Sequence, residues 1–260
     1  MPDLLLSILG VGLAALTGGS WISFATAIAS RRGTRLGGTI GGLPSISAFS
    51  FLFIGLDQSP QAAADATRSF PLALSFTILF LIMYAYAVRK GPGFALSTSI
   101  LVWLGLSVPA AAYNFKDSSL AIVVLAVVST LAILLFRKMK LAPIRGGGAR
   151  PAKREILRRG LSGGAVVGTV VLLSQELGPI WSGIFAAFPA VFSLTLLFTY
   201  RTEGEEFSRA IVKPLMTAAL ATALPYSIIA GLVFPLFGAL VGTGLALLCV
   251  APIAYLLLRF

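Results

Sequence analysis

The sequence predicts an all-α, polytopic helical membrane protein with about nine transmembrane helices, and three observations carry that expectation. First, 57% of the 260 residues are hydrophobic and only 11% are charged. A soluble domain carries about 25% charged residues, so this chain cannot clothe a water-facing surface. Second, the apolar runs are roughly 20 residues long, the length a helix needs to cross ~30 Å of hydrocarbon. Third, the alternating segments of about 10 residues that would mark a membrane β-barrel are missing.

Taken in order, the first span is expected at Leu4–Ser30. It has no basic region before it, and its apolar part exceeds the 7–15 residues of a signal peptide. The second, Leu36–Leu56, contains "LGGTIGGLPSIS", whose four glycines and proline are poor helix formers: Gly costs ~1 and Pro ~3 kcal/mol relative to Ala. The third, Phe70–Val88, is expected to begin early, with Ser59 as N-cap and Pro60 in the first helical position. Phe94–Tyr113 and Ser119–Phe136 follow, bounded by charge breaks. Then come Gly160–Gln175 and Gly178–Tyr200, the latter holding a second weak stretch, "WSGIFAAFPAVF". The eighth, Ala210–Leu232, follows "TEGEEFSRA", where Glu203, Glu205 and Glu206 suit a helix start. Its junction with the ninth, Phe237–Leu258, runs through "GLVFPLFG", which reads as a turn or a kink.

The net charge of +11 would suggest nucleic acid in a soluble protein. Here the basic residues flank apolar spans, so membrane topology accounts for them and no nucleic-acid partner is expected. Between spans five and six lie Arg137, Lys138, Lys140, Arg145, Arg150, Lys153, Arg154, Arg158 and Arg159, opposed only by Glu155. The positive-inside rule makes this 137–159 loop cytoplasmic. Alternation then puts the N-terminus outside and the C-terminus inside, in a multi-pass cell-membrane protein. The loop also contains "RGGGARPAK", a linker that could attract anionic headgroups at ~1 kcal/mol per basic residue.

An internal repeat is visible at an offset of 145 residues. It pairs Pro44 with Pro189, "LTGG" (Leu16–Gly19) with "LSGG" (Leu161–Gly164), and Gly38 with Gly183. Farther on the offset becomes 143, pairing Pro92 with Pro235 and Pro109 with Pro252. Five spans separate the first span of one repeat from that of the other, so the copies enter the membrane in opposite senses. The expected organisation is an N-terminal repeat (1–115), a connector helix with its basic loop (116–159), and an inverted C-terminal repeat (160–260).

Inverted repeats are characteristic of secondary transporters, whose sites lie at the repeat interface on interrupted helices. Proline removes a backbone donor and crowds the carbonyl four residues earlier, here those of Ile40 and Phe185. The candidate substrate-binding residues are therefore Gly41, Gly42, Pro44, Ser45, Ala186, Ala187, Pro189 and Ser193. Close packing of small residues is the competing reading, and the two are compatible. Hydroxyls such as those of Ser45, Ser47, Ser193 and Thr195 offer a hold for sodium. Asp57, Glu176, Arg209 and Lys213 fall near span ends, where snorkelling or capping explains them.

No enzyme activity, metal or cofactor is expected. With no histidine there is no Ser–His dyad and no His-containing metal site, and paired aspartates within spans are missing. Lys213, the only base a serine nucleophile could recruit, sits at the wrong end of its span. The single cysteine, Cys249, rules out an intramolecular disulfide.

The segment Ser30–Gly55, through Arg31, Arg32, Gly37, Gly38 and Pro44, resembles the small four-span prokaryotic inner-membrane proteins of the GlpM-like type. Gly183 and Pro189 echo the pattern, with Glu176 where the first copy has Arg31. The resemblance implies a duplicated, fused relative of a half-sized family whose single-repeat members assemble as antiparallel dimers. It supplies no substrate. The expected function is a transporter moving a small anionic or amphipathic solute by alternating access. The alternatives are a lipid-phosphate translocase (flippase), a channel, or a structural membrane protein. Membrane lipids, a small solute and, as an option, a second copy are the expected partners. A groove open to lipid would favour lipid transport, and an occluded central cavity a solute.

Overall fold

A computed structural model describes residues 2–113, 117–145, 153–176 and 187–259, and every regular element among them is helical. Helix α1 spans Pro2–Arg32, α2 Thr34–Gly41, α3 Ser45–Asp57, and α4 Pro60–Ala87, which ends in a 3₁₀ turn at Val88–Lys90. Then follow α5 (Pro92–Ala112), α6 (Ser118–Lys138), α7 (Lys153–Glu176), α8 (Ala190–Glu203), α9 (Glu205–Ala210) and α10 (Val212–Ala218). A π turn at Ala219–Ala223 leads into α11, Leu224–Arg259.

The protein is an all-α polytopic membrane protein, but the expected count of nine spans is corrected. Among the described residues six helical stretches are long and apolar enough to cross a membrane: Leu9–Arg32, Thr34–Leu56, Pro60–Lys90, Pro92–Ala112, Ser118–Lys138 and Glu205–Arg259. Three causes account for the difference. Helix α7 opens on "KREILRR", so its charge dilutes the apolar run that sequence reading began at Gly160. Residues 178–186 of the expected seventh span lie outside the described residues. The expected eighth and ninth spans form one 55-residue stretch, bent inside "GLVFPLFG" at Gly238, whose φ of 78° glycine adopts without a Cβ penalty.

Local signals mostly act where the sequence puts them. Ser59 caps α4, its hydroxyl accepting the Ala62 N–H at 3.0 Å, with Pro60 beginning the helix. Asp117 caps α6 through Leu120 N–H at 3.0 Å. Glu205 and Glu206 open α9 as expected, whereas Glu203 ends α8. Gly33, at φ 98°, lets the chain reverse between α1 and α2.

Helix α4 is the hub. Its Phe70, Ile78, Phe80 and Tyr84 are almost wholly buried, and it packs on α3, α5, α6 and α11. In lipid, burial of apolar area drives association little, so close van der Waals fit and polar ties carry the packing. The most extensive pairing is α1 with α7. Ala15 and Gly19 face Gly160 and Gly164, two small-xxx-small pairs crossing at closest approach. A Cβ on Gly19 would strike the Gly160 carbonyl, and one on Gly164 would lie 2.7 Å from the Ala15 oxygen. The "LTGG" and "LSGG" motifs of the 145-residue offset thus pack on one another.

Candidate functional site

The second apolar stretch is broken where the proline predicts. Helix α2 ends at Gly41, α3 starts at Ser45, and Pro44 sits between them as an N-cap with φ −76° and ψ 42°. Pro189, before α8, has φ −77° and ψ 42°. The hydrogen bonds match as well. Ser45 N–H reaches back to the Leu43 carbonyl at 2.7 Å, and Ala190 N–H to that of Phe188 at 2.8 Å. Ala48 N–H donates to the Pro44 carbonyl at 2.9 Å, and Ser193 N–H to that of Pro189 at 2.7 Å. Every partner in the second set is the first set's residue shifted by 145.

The Pro44 break and the Pro189 turn before α8 open onto one cavity of about 50 Å³. Gly41, Gly42, Pro44 and Ser45 line it from one side and Ala187 and Pro189 from the other, with Thr77 of α4 and Ala219 and Ala223 of the π turn closing it. Six of the eight residues expected at the site are therefore together. Ala186 and Phe185 lie outside the described residues. Ser193 is one turn into α8, off the cavity wall, its hydroxyl buried without a partner among the described residues. Thr195 and its offset counterpart Ser50 are likewise buried with hydroxyls unpaired among the described residues.

The polar groups of the cavity are unevenly satisfied. A helix leaves its first N–H groups without intrahelical acceptors, and a capping side chain normally serves the second and third. Proline has no such side chain. The N–H groups of Ile46 and Ser47 in α3, and of Val191 and Phe192 in α8, find no acceptor among the described residues, and all four residues line the cavity. The carbonyls fare better. That of Ile40, expected to lose its partner, accepts the Trp21 indole N–H at 3.1 Å as well as Leu43 N–H at 3.3 Å. That of Ala187 accepts the Thr77 hydroxyl at 2.7 Å, and Trp103 donates its indole N–H to the same hydroxyl at 3.2 Å. The Trp103 ring also packs edge-on against Phe188, centroids 5.1 Å apart. Among the described residues the Gly41 and Gly42 carbonyls lack a donor, so the Pro44 break offers free acceptors beside its free donors.

Sequence reading missed Trp21, Thr77, Trp103 and the π turn. The indoles carry no local motif, because the groups they serve lie 19 or more residues away. The π turn did leave a sign: Pro225 crowds the carbonyl four residues earlier, at Ala221, and the helix widens there instead of breaking.

A second concavity, an apolar groove of about 750 Å³, runs between α1, α3 and α11 and shares Leu43, Pro44 and Ser45 with the cavity. The first break thus forms the wall between groove and cavity. Among the described residues no group of three or more Cys, Asp or Glu side chains gathers as a metal site would require. No protein-family model, curated protein or solved structure matches the chain.

Proposed function

We propose that the protein is a secondary transporter built from two inverted repeats, moving a small anion through the cavity between the Pro44 and Pro189 breaks. The carrying observation is that Ile46 and Ser47 at the start of α3 and Val191 and Phe192 at the start of α8, whose N–H groups have no acceptor among the described residues, all line one small cavity with no charged side chain among its lining residues. Helix N-termini carry about half a positive charge and favour anions. Two such N-termini bordering one cavity of low dielectric reinforce each other. A volume of about 50 Å³ admits an ion or a solute of a few atoms.

Support for inversion comes from how repeat-equivalent parts meet. "LTGG" packs on "LSGG", and Pro44 shares a cavity with Pro189. Equivalent residues contact each other when a two-fold axis passes between them, and a repeat related by simple translation has no reason to bring two such pairs together. In this reading the N-terminus lies outside, the 137–159 loop and the C-terminus inside, and access alternates as one repeat rocks on the other. The likeness to GlpM-like half-sized proteins fits a fused duplicate.

A second reading, an amphipathic or lipid-phosphate substrate, is favoured by the groove that shares Leu43–Ser45 with the cavity. Flux assays on proteoliposomes separate the two. The anion reading expects uptake of small inorganic anions over cations, lowered in Pro44→Ala/Pro189→Ala because Ala offers the N–H that rebuilds the helix across each break. Unchanged anion flux in the double variant would overturn it, and headgroup exposure without anion flux would select the lipid reading.

A further inference from the structure

Away from this cavity, five cations from five segments surround one cleft. Its larger lobe, about 410 Å³, is lined by Arg35 of α2 and Lys213 of α10; its smaller, about 370 Å³, by Arg32 of α1, by Arg145, and by Arg259 of α11. Arg35 and Pro143 belong to both lobes, so the two form one continuous hollow. The 141–145 segment is clamped across it by a reciprocal pair, Thr34 N–H to the Ile144 carbonyl and Ile144 N–H to the Thr34 hydroxyl, each 2.9 Å. That clamp is what brings Arg145 beside Arg32 and Arg35.

Among the described residues, none of the five has a carboxylate within ion-pair reach. The ion pairs there join Arg68 to Asp65, and Arg158 and Arg159 to Glu155. Helix dipoles explain Arg32 and Arg259, which sit in the last turns of α1 and α11. They do not explain Arg35 and Lys213, which sit in the first turns of α2 and α10, where a cation opposes the dipole. Arg35 lines the larger lobe with Lys213 and the smaller with Arg32, Arg145 and Arg259, so an anion in either lobe meets more than one cation. The wall of the larger lobe continues into Ile253, Leu256 and Leu257, and the outer face of the same helix is strongly apolar and exposed at Leu248 (70%) and Leu256 (52%).

We propose that this cleft binds an anionic phospholipid, its headgroup held at Arg35, where the two basic lobes meet, with Lys213 on one side and Arg145 and Arg259 on the other, and its acyl chains lying along the exposed face of α11. A basic headgroup hollow continuous with an apolar helix face suits a lipid better than free phosphate, which gains nothing from the leucines.

The test is thermal unfolding and lipid titration of delipidated protein in detergent, with phosphatidylglycerol, phosphatidylcholine and glycerol 3-phosphate as probes. Phosphatidylglycerol is expected to raise the melting temperature; the other two are not. Arg35→Gln/Lys213→Gln is expected to weaken phosphatidylglycerol binding roughly 30-fold, two charges' worth of near-surface attraction. Should that variant fold poorly, Arg145→Gln, on an exposed segment outside the helices, is expected to weaken it about 5-fold. Equal stabilisation by phosphatidylcholine would reduce the cleft to an acyl-chain surface. Saturation by glycerol 3-phosphate would make it a soluble-anion site, and wild-type affinity in the variants would remove the cations from the site. Each of these three results overturns the proposal.

Discussion

Replacing Gly42 by Ala tests whether the first break is held open by packing against α10. An added Cβ would lie 2.5 Å from the Leu215 carbonyl oxygen, 2.6 Å from the Ala218 Cβ and 3.1 Å from the Ala219 nitrogen. These are backbone atoms and a methyl stub with no rotamer to yield, so α10 has to retreat by roughly 1 Å to restore ordinary contact. Overpacking of this kind costs about 1–3 kcal/mol. The backbone itself raises no objection: Gly42 has φ −87° and ψ −4°, where Ala gains about 0.4–1 kcal/mol by restricting the unfolded chain. The net expectation is a loss of about 1–2 kcal/mol. Gly105→Ala, in the exposed middle of α5 with nothing within 4 Å, is the matched control and is expected to gain about 0.5–1 kcal/mol. Thermal and denaturant unfolding in one detergent should therefore give shifts of opposite sign. Because α10 carries Ala219 into the cavity wall, Gly42→Ala should also alter anion flux. A Gly42→Ala protein as stable as Gly105→Ala would refute the close-approach argument.

Three further outcomes are expected. Thr77→Val keeps the shape of the side chain but leaves the buried Ala187 carbonyl without its donor, at about 1–2 kcal/mol by unfolding; Thr77→Ser should restore most of it, and wild-type stability in Thr77→Val would discount the bond. Arg159 is wholly buried, with Nε on Glu155 at 3.2 Å and its guanidinium 5.3 Å above Phe198, yet its two terminal nitrogens have no partner among the described residues. Arg159→Met should therefore be neutral or stabilising by unfolding, and a loss of several kcal/mol would mean those nitrogens are served. In a Cys249→Ser background, single cysteines at Asp117 and Gly147 should label from opposite sides of the membrane, and labelling of both from outside would sink the inverted topology.

Much of the architecture was legible because it rests on local chemistry. Apolar length marked the helices, Ser59 and Pro60 marked the start of α4, and Pro44 and Pro189 marked two proline N-caps with one conformation. Six of the eight proposed site residues meet at the cavity because the offset of 145 compared the breaks with each other, not each with an ideal helix. The features that escaped depend on distance or on small energy differences. Trp21 satisfies Ile40, and Thr77 satisfies Ala187, across gaps of 19 and 110 residues that no periodicity reports. The count of spans failed where charge and apolarity compete along one helix, as in α7. The junction read in "GLVFPLFG" is present as a kink at Gly238, but the helix resumes at once, so the two expected spans run on as one apolar stretch.

The π turn at Ala219–Ala223 governs how the last 55 residues are phased. Bonding five residues ahead in place of four inserts one extra residue into the helix, a rotation of about 100° between the segments on its two sides. Upstream, α10 turns its buried side to α2; downstream, α11 turns Tyr226, Ser227, Ala230 and Phe234 inward and packs on α3 and α4. A single buried stripe drawn through both segments at α-helical period would therefore misplace one of them. The same geometry makes the chain intolerant of length changes here. Losing one alanine from "ALATA" would return the segment to α-helical pitch and swing the wholly buried Tyr226 toward lipid, while substitution of any one alanine by another small residue leaves the phase intact.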